Sequence, residues 1–153
     1  MDYFLYRNGS LYAEDVAVAD IAAAVGTPFY VYSTATLLRH FKLFDDALAD
    51  MDHLICYAMK AASNQAIIKT LAQAGAGMDV VSGGEYARAK AAGVSTDRIV
   101  FSGVGKTVDE ITTALKGGIR QFNVESEPEM VVLNRVAGEM GVIAPITLRV
   151  NPD

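Results

Sequence analysis

From residue 53 onward the chain alternates between two hydrophobic rhythms. Short apolar runs at 54–59, 78–81, 99–101, 121–124 and 146–150 read as strands. Between them, at 65–73, 85–92, 108–116 and 127–140, the apolar positions recur at helical spacing, and each segment runs into a glycine breaker at Gly75, Gly93, Gly117-Gly118 or Gly141. Strand and helix alternating at this pace predict βαβ units on a parallel sheet, and so an α/β fold. Upstream, residues 1–26 read as an irregular lead-in with a short helix over 20–25 that stops at Gly26. Thr27-Pro28 then opens a strand over 29–32, rich in aromatic and β-branched residues. A helix over 34–49 follows, with Leu37, Leu38, Phe41, Phe44, Ala47 and Leu48 on one stripe.

Three helix starts carry a capping-box pattern: Ser82 with Glu85, Thr107 with Glu110 and Ser126 with Glu129. In such a box the hydroxyl and the carboxylate satisfy each other's orphan backbone N–H groups. These glutamates are expected to be structural on that basis alone.

The chemistry is expected where polar residues interrupt the apolar strands. Lys60 ends the first strand of the series, Asp79 lies in the second, Ser102 ends the third, Asn123 lies in the fourth and Arg149 in the fifth. Parallel strands share one carboxyl end, so these side chains are expected to converge there, the face on which α/β proteins build their sites. Side-chain alternation places Lys60 above Ala58 and Cys56, small residues that leave room for a flat ligand. A desolvated lysine amine is a candidate Schiff-base nucleophile, with Asp79 and Arg149 placed to tune it. An Asp–Arg pair across such a mouth can equally be a structural ion pair. Gly103-Val-Gly105-Lys106-Thr107 imitates the end of a phosphate loop, but Val100 stands where that loop needs a glycine.

Composition narrows the classes. The 153 residues are 52% hydrophobic and carry a net charge of −5, so the chain can bury a core and is not intrinsically disordered. No basic run is visible, which argues against nucleic acid as a partner. Cys56 is the single cysteine, and His40 and His53 lack ligand spacing to it, so no metal site is expected. The first residues lack a signal-peptide pattern and no apolar run approaches the roughly 18 residues of a membrane span, so the expectation is a cytoplasmic protein off the membrane.

Tyr57-Ala-Met-Lys60-Ala with Ser63-Asn64 resembles the cofactor-lysine motif of the alanine racemase-like, pyridoxal phosphate-dependent enzymes. Within that group the chain looks like the N-terminal portion of the diaminopimelate decarboxylases. The match is carried by Gly75-Ala-Gly-Met-Asp-Val-Val-Ser-Gly-Gly-Glu85, Ile99-Val-Phe-Ser-Gly-Val-Gly-Lys-Thr107, Phe122-Asn-Val-Glu-Ser-Glu-Pro-Glu129 and Leu148-Arg-Val-Asn-Pro-Asp153, in family order.

The resemblance implies a (β/α)8 barrel of the TIM type holding pyridoxal 5'-phosphate at its mouth. A barrel takes about 250 residues, so about five of its strands are expected here. Residues 1–32 would be an N-terminal extension and strand that packs on a C-terminal β domain, and 33–153 the first part of the barrel. Lys60 would hold the cofactor as a Schiff base, with Ala58, Asp79, Ser102 and Arg149 around it and Glu85 at the start of the next helix. The implied reaction is decarboxylation of meso-diaminopimelate to L-lysine by a homodimer, with this chain alone expected to be inactive. Related decarboxylases of arginine, ornithine or carboxynorspermidine, and a non-catalytic remnant, are the alternatives. One departure stands out: the family pattern has Lys-Ala-Asn where this chain has Lys60-Ala61-Ala62, and looser positioning around Lys60 is expected, with Ser63 or Asn64 taking over as helix cap.

Overall fold

The computed structural model describes residues 3–152, which form two compact units parting between Met51 and Asp52. In the first, β1 (Phe4–Arg7), β2 (Ser10–Ala13) and β3 (Val16–Ala17) make an antiparallel meander, followed by α1 (Val18–Val25) and α2 (Thr34–Ala47). The meander corrects the expected irregular lead-in. Its first turn is Asn8-Gly9, with φ of 50° and 80°, the left-handed pair that closes a two-residue hairpin compatible with strand twist. The expected strand at 29–32 belongs to no ladder: its aromatic and β-branched residues favour extended backbone, but pairing needs a neighbour. Glu14 caps α2 from a distance, its Oε1 accepting from the Ser33 hydroxyl at 2.8 Å and the Ala35 N–H at 2.9 Å. Those hydrogen bonds hold the Glu14 carboxyl below the usual carboxylate range, the Ala35 N–H contributing most.

The second unit is a five-stranded parallel sheet in sequence order: β4 (Cys56–Ala58), β5 (Gly77–Val80), β6 (Ile99–Phe101), β7 (Gln121–Val124) and β8 (Ile146–Leu148). The connecting helices are α3 (Gln65–Gln73), α4 (Gly83–Ala91), α5 (Val108–Lys116) and α6 (Glu127–Met140). Each strand pairs with the next in sequence, as in five successive strands of a (β/α)8 barrel. The core lies on the helix side, where Met59, Met78, Val80, Ile99, Phe101, Phe122 and Val124 are buried against Ile68, Ile111, Leu133 and Val136. Phe101 and Phe122 are register partners and stack with ring centroids 6.0 Å apart.

The helix starts differ from expectation in one respect. All three hydroxyls cap as predicted, Ser82 accepting from Glu85 N–H, Thr107 from Glu110 N–H and Ser126 from Glu129 N–H. Only Thr107 and Glu110 close a full capping box. Glu85 and Glu129 reach one residue further back, accepting from the Val81 and Glu125 N–H groups. Ser82 and Ser126 themselves are fully extended (φ −156° and −157°), whereas Thr107 turns earlier (φ −84°), so their preceding N–H groups offer the nearer targets.

Candidate active site

Lys60 sits in the turn just past β4 and is exposed. The desolvation expected of its amine is therefore not supplied by the described residues, and it has no ion-pair partner among them. The turn itself is firmly held. Tyr57 donates its hydroxyl hydrogen to the Ala62 carbonyl at 3.1 Å, and Arg88 donates to the Ser63 carbonyl at 2.9 Å. Asn64 is the cap of α3, accepting from the Ala66 N–H at 2.8 Å. The backbone carbonyls of Ala62 and Ser63 are thus pinned from β4 and α4.

Alternation along the strands places Ala58, Asp79 and Asn123 on the face opposite the core, Asp79 being the register partner of Ala58 and Asn123 that of Thr147. Polar side chains along this face join into one hydrogen-bond chain. Gln121 Nε2 donates to Asn123 Oδ1 at 2.9 Å, Asn123 Nδ2 to Ser102 Oγ at 2.8 Å, and the Ser102 hydroxyl to Asp79 Oδ1 at 2.6 Å. Ser102, expected as a cofactor ligand, thus spends its one hydrogen on Asp79. The thiol of Cys56, below Ala58 on the same face, has its pKa pushed up first by burial and then by the charge of Asp79, against a smaller opposite pull from Arg120 and Arg98.

Arg149 lies just past β8, its N–H donating to the Val124 carbonyl at 2.9 Å. Its guanidinium pairs with Glu125 at 2.9 Å rather than with Asp79, and remains largely exposed. Glu125, absent from the residues expected at the site, accepts from the Gly103 N–H at 2.6 Å with its other oxygen. It therefore ties the loop after β6 to the arginine after β8. Ser102, Gln121, Asn123, Glu125, Thr147 and Arg149 line an open concavity of about 450 Å³. A larger one, of about 570 Å³, lies between α6 and residues 142–146, but it is mainly apolar and holds no titratable group.

Lys106, the lysine of the apparent phosphate loop, faces inward. Its ammonium donates to the Gly103 and Asn123 carbonyls and to Glu129 at 2.7–2.8 Å, which uses all three hydrogens. With a side chain only 1% exposed, it locks two loops and grips no phosphate. The roles of Glu125, Gln121 and Lys106 are not legible in the sequence, because they flank the strand ends, where polar residues are ordinary. Gln121 did carry a signal, being two residues before Asn123 and so on its face.

A parallel α/β sheet with its strands in sequence order, and with Asp79, Ser102 and Asn123 hydrogen-bonded along its open face, is the architecture of part of a (β/α)8 barrel. The chain belongs to the pyridoxal-dependent decarboxylase family: the model of that family's pyridoxal binding domain matches residues 34–153. A curated diaminopimelate decarboxylase from Vibrio cholerae is 57% identical across 100% of this chain, which spans 37% of that relative. A crystal structure from Aquifex aeolicus superposes with a TM-score of 0.93 at 47% identity, over 97% of this chain and 37% of that one. The diaminopimelate decarboxylase of M. jannaschii, solved with L-lysine, also gives a TM-score of 0.93, at 34% identity over 98% of this chain and 36% of that one. Among the described residues, no helix is long and apolar enough to cross a membrane.

Proposed function

We propose that this chain is the cofactor-lysine portion of a cytoplasmic, homodimeric diaminopimelate decarboxylase that converts meso-diaminopimelate to L-lysine. Residues 1–32 form its N-terminal extension, which packs on a C-terminal β domain, and 33–153 the first part of its barrel. The carrying observation is the side-chain array on the open face: Lys60 exposed past β4, Asp79 beside Ala58, and Arg149 anchored past β8 with donors to spare. These residues fit pyridoxal phosphate. The amine is unpaired, Ala58 leaves space beneath it, and Arg149 is charged at any physiological pH.

When bound, the cofactor supplies an electron sink for the carbanion left as carbon dioxide departs. The chain's own residues supply position. Lys60 offers a primary amine for covalent attachment, and its turn is fixed by Tyr57, Arg88 and Asn64. Asp79 places a negative charge next to that amine's strand. Arg149 presents a guanidinium held by Glu125, suited to an acidic oxygen on the ligand.

The test is a chimera in which this chain replaces the matching segment of the Vibrio cholerae relative. Carbon dioxide release from meso-diaminopimelate is expected, with loss of it in Lys60→Ala. Release only from arginine, ornithine or carboxynorspermidine would reassign the substrate, and no release from any of them would leave a non-catalytic remnant. The 153-residue chain by itself is expected to release none.

A further inference from the structure

We infer that Gln121, Asn123 and Ser102 are positioning residues that hold the Asp79 carboxylate toward β6 and away from Lys60. The inference rests on Lys60 being the cofactor lysine, but its main readout needs no cofactor.

The hydrogen bonds run in one direction. Ser102 has a single hydrogen, and Asn123 Nδ2 donates to the Ser102 oxygen, so that hydrogen is left for Asp79 Oδ1. Asn123 is in turn oriented by Gln121, whose amide donates to Asn123 Oδ1. Each donor fixes the next, and the carboxylate is the terminal acceptor. Charge-assisted O–H···O⁻ bonds are short, as the 2.6 Å contact is.

The position matters because of strand order. Asp79 lies on β5, with β4 on one side and β6 on the other. The titratable groups toward β4 are Cys56, with Asp52, His53, Arg120 and Arg98 around its thiol, and, past the strand end, Lys60; toward β6 and β7 the polar partners are the neutral Ser102, Asn123 and Gln121, and beyond them lie Glu125 and Arg149, paired with each other. A carboxylate that reached Lys60 would form an ion pair and keep the amine protonated, its lone pair bound to hydrogen and withheld from condensation. No such pair exists among the described residues, and the hydrogen bond from Ser102 draws Asp79 to the β6 side.

The tether is read out by Cys56, the chain's only cysteine, whose thiol feels the charge of Asp79. In the 153-residue chain, the rate of iodoacetamide alkylation of Cys56 is followed against pH. Ser102→Ala frees the carboxylate to turn toward β4, so the thiol should deprotonate at higher pH and alkylate about two-fold or more slowly at a fixed pH near its midpoint. Ser102→Thr keeps the hydroxyl and should match the parent. Gln121→Met removes only the first donor and should move the rate less, in the same direction; it serves as the second variant if Ser102→Ala does not fold. In an Asp79→Asn background the Ser102 substitution should have no effect.

A second arm measures reductive labelling of Lys60 by pyridoxal phosphate and borohydride, which should slow in Ser102→Ala and recover in Ser102→Thr. Unchanged Cys56 alkylation in both Ser102→Ala and Gln121→Met, or an equal effect of Ser102→Ala with Asn at 79, would overturn the tether. Altered Cys56 alkylation with no selective labelling of Lys60 in the parent would confirm the tether and refute the cofactor reading.

Discussion

The two faces of the five-stranded sheet are made by alternate residues of the same strands, yet they obey different rules. On the helix side Met59, Met78, Val80, Ile99, Phe101, Phe122 and Val124 are buried, with essentially no polar atom among them. On the other side Asp79, Ser102, Asn123 and Gln121 are half-buried and satisfied by one another. Burial of apolar area is non-directional and tolerates rearrangement. A one-way hydrogen-bond chain tolerates none, because each member's donor depends on its neighbour's orientation. One face is therefore expected to carry the stability and the other the chemistry.

Neighbouring positions on β7 test that division most severely. Phe122 is fully buried and stacked on Phe101, so Phe122→Ala should cost about 3–5 kcal/mol in urea unfolding. Asn123→Ala, one residue on, should cost far less in the same experiment while disturbing the site. Comparable losses at the two positions would break the comparison.

That division also explains what could be read from sequence. The period-two strands and the helices between them were visible because one face is so uniformly apolar, and 99–101, 108–116, 121–124 and 127–140 match the observed elements. Lys60, Asp79, Ser102 and Arg149 were visible because a polar residue in or beside an apolar strand is conspicuous. Their partners were not. Glu125 and Lys106 stand in loops full of polar residues, and only three-dimensional proximity shows that one holds Arg149 and the other saturates two loops. The meander of β1 to β3 was missed for another reason: its strands are too short for alternation to register, although Asn8-Gly9 carried the hairpin signal.

At the rim between the two faces lies the Lys106–Glu129 pair, 2.7 Å apart with both side chains at least nine-tenths buried. Lys106→Met leaves Glu129 facing a dry pocket and should cost about 3 kcal/mol, since removing one partner strands the other's charge. Adding Glu129→Gln to that variant should recover part of the loss. If Lys106→Met is neutral, the rim does not contribute to stability as the helix side does.

A smaller effect belongs to the helix layer. Tyr86 is buried on α4 with a hydroxyl that has no hydrogen-bond partner among the described residues, and burial pushes its pKa up. That oxygen lies against Gly117, where an added Cβ would clash with it. Gly117→Ala should therefore cost about 1–3 kcal/mol by overpacking. Tyr86→Phe should be near neutral alone, since it removes an unpaired polar atom, and should rescue most of the Gly117→Ala loss. Additive effects in the double variant would show that the two do not touch.

The smallest expected effect concerns the half-buried carboxylate that joins two helix starts. Glu110 accepts from the Gly83 N–H at 2.6 Å with one oxygen and from the Thr107 N–H at 2.9 Å with the other, coupling the first turns of α4 and α5. Those bonds hold its carboxyl below the usual carboxylate range, the Thr107 N–H contributing most and the Gly83 N–H next. A carboxylate whose pKa is lower in the folded chain than in the unfolded one binds fewer protons when folded. Its stabilisation is complete above the ordinary carboxylate range and disappears as the pH falls through the lowered value. Glu110→Gln keeps an acceptor but not the charge, so it should lower the urea midpoint at about pH 7 and leave it nearly unchanged at about pH 2. The parent should then lose more stability than the variant across that acid window. Parallel acid profiles for the two would mean that the helix starts are held by Thr107 and Ser82 alone, and that the coupling between α4 and α5 comes from the apolar face beneath them.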